Sequence, residues 1–202
     1  TLSPSSAASD VYKRQALVNR ISEILKSRHE TVAVTEAACG GLLSSYLVSV
    51  TGASEWFDGG TLVYSLKSRL KLSGWNSEDI ENYTGPSDNV ALRLARNLRL
   101  ELGSTYSLSE TGYASLMPNN PEASDKTGMV YFGISGPNRD LCKNYSTGSG
   151  DRRYNMQQFA IKGLEFLLQE LENGQKDPEQ HRTKKSKSSG PEPNAQCDDS
   201  TK

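Results

Sequence analysis

Val34-Thr35-Glu36-Ala37-Ala38-Cys39-Gly40-Gly41-Leu42 is the stretch that decides the fold. A β-branched, apolar run over 31–34 leads into it, and a second apolar run over 42–48 follows. This order is typical of a buried strand, a tight glycine turn and a helix. Such a turn leaves backbone N–H groups free at the mouth of a sheet, where they can bind an anion. The stretch therefore predicts an α/β fold with a ligand site at the tip of its first strand.

Helical and extended patterns alternate along the rest of the chain. Helices are predicted over 16–28, over short segments at 67–72 and 77–83, after Gly85-Pro86, and from Gly150-Asp151 to about 171. Further strands are predicted over 61–64, 105–109, 129–134 and 141–146, the last two as a hairpin, with a turn at Asp58-Gly59-Gly60 and a loop over 112–127. This alternation predicts an α/β three-layer sandwich, a mixed sheet with helices on both faces.

Composition divides the chain into three parts. The 202 residues are 35% hydrophobic with a mean hydropathy of −0.62, and the polar residues concentrate at the two ends. Residues 16–173 form the expected globular domain. Residues 1–15 are expected to be a non-native or disordered leader, because they resemble translated adapter sequence. Residues 174–202 are expected to be a disordered polar tail.

Charge and cysteine content exclude several function classes. The net charge of −1 gives no reason to expect nucleic acid as a partner, and no long apolar run predicts a membrane span. The three cysteines, Cys39, Cys142 and Cys197, form an odd set without metal-ligand spacing, which disfavours a disulfide framework. We therefore expect a cytoplasmic protein.

Seven short blocks resemble motifs of one enzyme family. Residues 35–42 resemble the A-E-S-C-T-G-G-L motif of the CinA C-terminal domain family, the PncC-like nicotinamide mononucleotide deamidases. The other six blocks follow in the family's order, at 52–60 (G-A-S-x-x-F-x-G-G), 63–65 (V-Y-S), 85–91, 111–114, 127–131 and 150–152 (G-D-R). Each block is weak alone, but their order over 16–173 makes chance similarity improbable.

The resemblance implies an activity without metal or cofactor. The family hydrolyses the carboxamide of nicotinamide mononucleotide to nicotinic acid mononucleotide and ammonia, and its members form homo-oligomers. A motif serine is the nucleophile, helped by a tyrosine and a lysine. In this sequence the serine position is Ala37, the following threonine position is Cys39, the tyrosine is Tyr64 and the lysine position is Arg69.

Cys39, Tyr64 and Arg69 are the candidate catalytic residues. A helix N-terminus lowers the pKa of a thiol, so Cys39 could replace the missing serine, although a buried structural cysteine is the alternative. Arg69 cannot act as a base, but its fork can hold a phosphate or carboxylate. Lys67 lies about 200° away on a helix, so only one of these two cations can face the site.

The candidate substrate-binding residues lie at strand ends, at the glycine turn and at the start of the last helix. They are Glu36, Ala37, Gly40, Gly41, Thr111, Gly112 and Arg152. Each also has a plain structural interpretation as a turn, a cap or an ion-pair residue. Two functions remain open: a nicotinamide mononucleotide deamidase, or a catalytically inactive homologue that binds the nucleotide. Either has a small-molecule nucleotide as its partner.

Overall fold

The computed structural model describes residues 4–174 and 196–198, with side chains over 11–174. The helices are α1 (Pro4–Arg28), α2 (Leu42–Val48), α3 (Leu66–Leu72), α4 (Ser77–Glu81), α5 (Asp88–Leu102), α6 (Pro121–Asp125) and α7 (Arg152–Asn173). The strands are β1 (Val32–Glu36), β2 (Phe57–Leu62), β3 (Tyr106–Gly112), β4 (Met129–Ser135), β5 (Asp140–Ser146) and β6 (Gln196–Asp198).

The strands form one mixed sheet in the order β2-β1-β3-β4-β5, extended at its edge by the three-residue β6. β1 runs parallel to both β2 and β3, while β4 is antiparallel to β3 and to β5. The carboxyl ends of β1, β2 and β3 therefore meet at one edge of the sheet, which is where ligands bind in open α/β sheets.

Helices cover both faces, which confirms the predicted three-layer sandwich. α1, α2 and α7 pack against one another on one face, and α5 packs on β1, β3, β4 and β5 on the other. The larger core includes the fully buried Trp56, Phe132 and Phe159. A smaller cluster joins Val63 and Trp75 to Leu94 of α5. None of the described helices combines the length and apolar character that crossing a bilayer requires.

The first helix extends into the segment that was expected to be a leader. α1 begins at Pro4, and its Ala, Lys, Arg and Gln residues favour helix. Val11 and Tyr12 are exposed there, whereas Lys13 forms an ion pair with Glu165 of α7 (3.1 Å) and Arg14 lies over the ring of Tyr46. The predicted tail lies outside the described residues except for β6, which pairs in parallel with β5.

The cysteines also differ from the prediction. Cys142 on β5 is disulfide-bonded, whereas Cys39 is free and buried. The odd cysteine count therefore does not mean that all the thiols are free, and it gives no support to a reducing compartment.

β2 begins earlier than predicted, because Gly60 is a packing residue rather than a turn residue. The predicted turn at 58–60 lies inside the strand: Gly59 and Gly60 pair with β1, and Asp58 is the extra residue where the register shifts. A Cβ on Gly60 would stand 2.7 Å from Ser44 Oγ and 2.8 Å from Val34 Cγ2. The glycine is thus required because α2 and β1 approach the backbone of β2 closely.

Gly133 allows a similarly close approach to the strand backbone on the other face of the sheet. A Cβ at this position of β4 would lie 2.6–2.7 Å from backbone atoms of Ala91 and Leu92 in α5. The hydroxyl of Ser109 donates a hydrogen bond to the carbonyl of Ala91, which holds the start of α5 against β3. Backbone atoms cannot move aside as a flexible side chain can, so the α5–sheet contact depends on this glycine.

We expect Gly133→Ala to lower the free energy of unfolding by about 2–3 kcal/mol through overpacking. Gly150→Ala is the matched control, because a Cβ there meets nothing within 4 Å and the backbone is not left-handed. The control should change stability by less than about 0.5 kcal/mol in urea unfolding. Equal stabilities for the two variants would contradict the close contact.

Candidate functional site

A cavity of about 500 Å³ opens where the carboxyl ends of β1, β2 and β3 meet. Its walls come from the turn after β1, the segment after β2, the end of β3, the loop before α5 and the first residue of α7. Cavities of this volume fit small-molecule ligands. The position agrees with the ligand site predicted from the strand ends.

A carboxylate of the protein, however, already occupies three backbone amides of the glycine turn and of the start of α2. Glu36 Oε2 accepts from the amides of Gly41 (2.9 Å) and Leu43 (3.0 Å), and Glu36 Oε1 accepts from the amide (2.8 Å) and hydroxyl (2.7 Å) of Ser44. The prediction of free N–H groups is therefore wrong at these amides. Glu36 acts as the cap of α2, because the first N–H groups of a helix need acceptors.

Glu110 of β3 holds the preceding part of the same turn. Its Oε1 accepts from the amides of Ala37 (2.6 Å) and Cys39 (2.7 Å), and its Oε2 is buried without a hydrogen-bond partner. Burial raises the pKa of Glu110 to about 7, with a further contribution from the Glu36 carboxylate, while the two amides oppose the shift. The sequence analysis did not select this residue, although an acidic residue directly after the predicted strand over 105–109 was the available signal.

Cys39 is not placed to act as a nucleophile. Its side chain is fully buried, and it is not among the residues that line the cavity. Burial raises the pKa of the thiol well above its usual range, and the nearby Glu110 and Glu36 carboxylates raise it further. The expected lowering of the thiol pKa by the helix N-terminus is therefore wrong, because burial and the two neighbouring carboxylates outweigh it. Cys39 instead fits the alternative given in the sequence analysis, a buried structural cysteine.

Glu36, Cys39 and Glu110 also form a cluster of possible metal ligands. One ligand atom from each lies within 4.8 Å of the others. All three side chains are buried, and Glu36 already accepts four hydrogen bonds from the turn. We assign no metal to this cluster, because its carboxylates are engaged in holding backbone amides.

Arg69 is the buried cation of the cavity. Its Nε donates to the carbonyl of Val63 (3.3 Å) and its Nη2 donates to Thr111 Oγ1 (3.0 Å), while its Nη1 is buried without a hydrogen-bond partner. The guanidinium lies over the rings of Trp75 (5.4 Å) and Tyr83 (4.9 Å). Of the two predicted alternatives, Arg69 and not the exposed Lys67 lines the cavity.

Arg152 links two hydroxyl groups at the rim of the cavity. Its Nη1 donates to Ser115 Oγ (3.0 Å) and its Nη2 donates to Tyr64 Oη (3.1 Å). Tyr64 is 63% exposed, so its ring and hydroxyl are open to solvent. Ser115 follows the motif block at 111–114, and no pattern in the sequence indicated a functional role for it.

The backbone that carries Ser115 is held from α7 by a buried asparagine. Asn155 Nδ2 donates to the carbonyls of Ala114 (2.9 Å) and Ser149 (2.8 Å). Such a residue orients the rim without touching a ligand. In the sequence, the feature that could have identified Asn155 is a side-chain amide on the apolar face of the last helix, four residues before Phe159.

The structure thus brings together six of the predicted site residues and separates the other four from the cavity. Those that line it are Ala37, Tyr64, Arg69, Thr111, Gly112 and Arg152, whereas Glu36, Cys39, Gly40 and Gly41 do not. Among the described residues that line the cavity, none is an acidic residue, a lysine, a histidine or a cysteine. The wall is therefore cationic, and it lacks the usual general bases.

Known proteins resemble this chain over most of its length. The CinA C-terminal domain family matches residues 14–171. A CinA-like protein of Nostoc sp. is 32% identical over 166 residues, which cover 77% of this chain and 39% of the relative. A CinA-like protein of Myxococcus xanthus is 37% identical over 154 residues, 75% of this chain and 35% of the relative. The chain thus spans about two-fifths of these relatives' length.

Solved structures share the fold. The competence/damage inducible protein CihA from Agrobacterium tumefaciens superposes with a TM-score of 0.72 at 21% identity, over 79% of this chain and 96% of that one. A CinA superfamily protein from Escherichia coli superposes with a TM-score of 0.71 at 20% identity, over 84% and 93% of the two chains. At these identities the likeness establishes the fold alone.

We expect the stability of the protein to depend on pH through Glu110. Because the folded state holds this proton more tightly than the unfolded chain, the contribution of Glu110 to the free energy of unfolding is greatest below about pH 4.5. It is lost as pH rises through about 7. Between pH 5 and pH 8 the wild type should lose about 2–3 kcal/mol relative to Glu110→Gln, measured by urea unfolding. Glu122→Gln, at an exposed carboxylate, is the control and should show no such difference.

We expect Glu36→Gln to destabilise the protein by about 3 kcal/mol or more, because an amide N–H₂ would face amide donors and the charge would be lost. Ser44→Ala removes one of the four hydrogen bonds and should cost about 1 kcal/mol. Urea unfolding of the wild type and both variants measures the two losses of stability, which are then compared. A cost for Glu36→Gln no greater than that of Ser44→Ala would contradict the capping role.

Proposed function

The chain belongs to the CinA C-terminal domain family, and from this membership and the site geometry we propose that its cavity binds a pyridine mononucleotide without hydrolysing its amide. One observation carries the second half of the proposal. The residue that lines the cavity at the family's serine position is Ala37, which has no nucleophilic atom.

The composition of the cavity wall supports binding. Tyr64, Tyr83 and Tyr113 supply aromatic rings for a planar heterocycle, and Arg69 and Arg152 supply two positive charges for anionic groups. Together with a volume of about 500 Å³, these groups suit a ligand that joins an aromatic ring to a phosphate.

The same wall offers no serine at the motif position, and none of its described residues is a carboxylate, histidine, lysine or cysteine that could act as a base. Amide hydrolysis requires an attacking atom, a base that activates it and donors for the oxyanion. Ser115 has a hydroxyl, but its described partner is the Arg152 guanidinium, which stays protonated and cannot accept a proton. Arg69 also stays protonated, so it cannot transfer a proton as a lysine at this position could. Hydrolysis of nicotinamide mononucleotide, the activity implied by the resemblance, is the competing function.

The expectations about oligomeric state, location and partner belong to this proposal as well. We infer a homo-oligomer and a small-molecule nucleotide as the partner, on the resemblance to the family. A cytoplasmic location stays a prediction from the composition of the chain. Light scattering of the purified chain would measure the oligomeric state.

We expect isothermal titration calorimetry with nicotinamide mononucleotide or nicotinic acid mononucleotide to show saturable binding, while an ammonia assay with nicotinamide mononucleotide shows no turnover. Arg152→Ala should weaken binding about tenfold, because it removes a cation from the rim. Lys67→Ala, at an exposed residue outside the cavity, should leave it unchanged.

We expect the pair of substitutions Ala37→Ser and Arg69→Lys to create ammonia release, since together they supply a hydroxyl and a cation that can lose its proton. Ammonia release by the wild type would refute the proposed loss of hydrolysis. If neither mononucleotide gives a heat of binding, the proposed binding itself is refuted.

A further inference from the structure

We propose that the cavity selects the carboxylate form of its ligand over the carboxamide form, and that Arg69 is the residue that distinguishes them. The proposal rests on the proposed binding of a pyridine mononucleotide and specifies its chemical class: a ring with a carboxylate at one end and a phosphate at the other. For a deamidase this would be the product rather than the substrate.

The first argument is an unbalanced buried charge. Arg69 is 4% exposed, and none of the ion pairs among residues 11–174 includes it. Its hydrogen-bond partners, the Val63 carbonyl and the Thr111 hydroxyl, are both neutral. A buried cation without a counter-charge is unfavourable, and an anionic ligand group in the adjacent cavity would relieve that cost.

The second argument is the fixed orientation of the guanidinium. Two hydrogen bonds hold Nε and Nη2, and the guanidinium carbon lies over the rings of Trp75 and Tyr83. Nη1 is left as a buried donor without an acceptor. A donor group that is already oriented loses little entropy when it binds, so its selectivity for an acceptor is high.

The third argument is the difference between the two ligand groups. Both oxygens of a carboxylate accept hydrogen bonds and carry negative charge, whereas a carboxamide presents one oxygen and one N–H₂ donor. Among the described lining residues no carboxylate side chain is available to accept from that N–H₂. The amide would thus leave the Arg69 charge unbalanced and its own donor without a charged partner.

The placement of the second cation supports a ligand with two anionic groups. Arg152 lies at the exposed rim, where it is bound to Tyr64 and Ser115. Arg69 lies at the buried wall, bonded to Val63, the residue before Tyr64. The phosphate, the more strongly hydrated group, belongs at the exposed cation, and the carboxylate belongs at the buried one.

A set of four ligands tests the proposal on the wild-type protein by calorimetry. The set contains nicotinic acid mononucleotide, nicotinamide mononucleotide and the two corresponding ribosides without phosphate. We expect the acid to bind about 10- to 100-fold more tightly than the amide within each pair. Ratios near one in both pairs, with a large effect of phosphate alone, would place the phosphate at Arg69 and overturn the proposal while the proposed function stands.

Two variants assign the preference to Arg69. Arg69→Gln should reduce the ratio of acid to amide affinity to about one, and Arg69→Lys, which keeps the charge and loses the fork, should give an intermediate ratio. Arg152→Gln should weaken both mononucleotides and leave their ratio unchanged. A preference that survives in Arg69→Lys at the wild-type value would overturn the assignment even where Arg69→Gln does not fold. If neither mononucleotide binds the wild type, the inference and the proposed function both fail.

Discussion

Two buried carboxylates from neighbouring strands hold the turn on which the site is built. Glu36 accepts four hydrogen bonds from the start of α2, and Glu110 accepts two from the residues just before it. Hydrogen bonds from backbone N–H groups to a carboxylate are strong, and here they offset part of the cost of burying two acids. Because β1 and β3 are paired directly, the position of the turn follows from the register of the sheet.

The charge of the cavity is a consequence of this arrangement. The donors of the glycine turn are occupied by Glu36, so the anion-binding capacity of the helix N-terminus is used inside the protein. Positive charge for a ligand must then come from side chains, and Arg69 and Arg152 provide it from different parts of the chain. Glu36 and Glu110 thus lie in the protein interior, whereas Arg69 and Arg152 line the cavity.

The sequence predicted the layers of the fold because hydrophobic period separates strands from helices in long, regular segments. It placed Asp58-Gly59-Gly60 in a turn because local patterns cannot show that Ser44 and Val34 crowd the backbone at Gly60. It identified Tyr64, Arg69, Thr111 and Arg152 from strand ends and motif resemblance. It left the role of Cys39 open, because the burial of this thiol and the carboxylate of Glu110, some seventy residues later in the chain, cannot be read from the local pattern. Contacts so distant in sequence leave no periodic signal.

The hydrogen bond that holds position 37 in the turn comes from its backbone. The amide of Ala37 is bonded to Glu110, whereas its methyl group belongs to the cavity wall. A serine in place of this alanine would keep the same amide, and the codons of the two residues differ by one base. The gain or loss of a reactive hydroxyl is therefore a small evolutionary step, one that an ancestral scaffold could take in either direction while remaining folded.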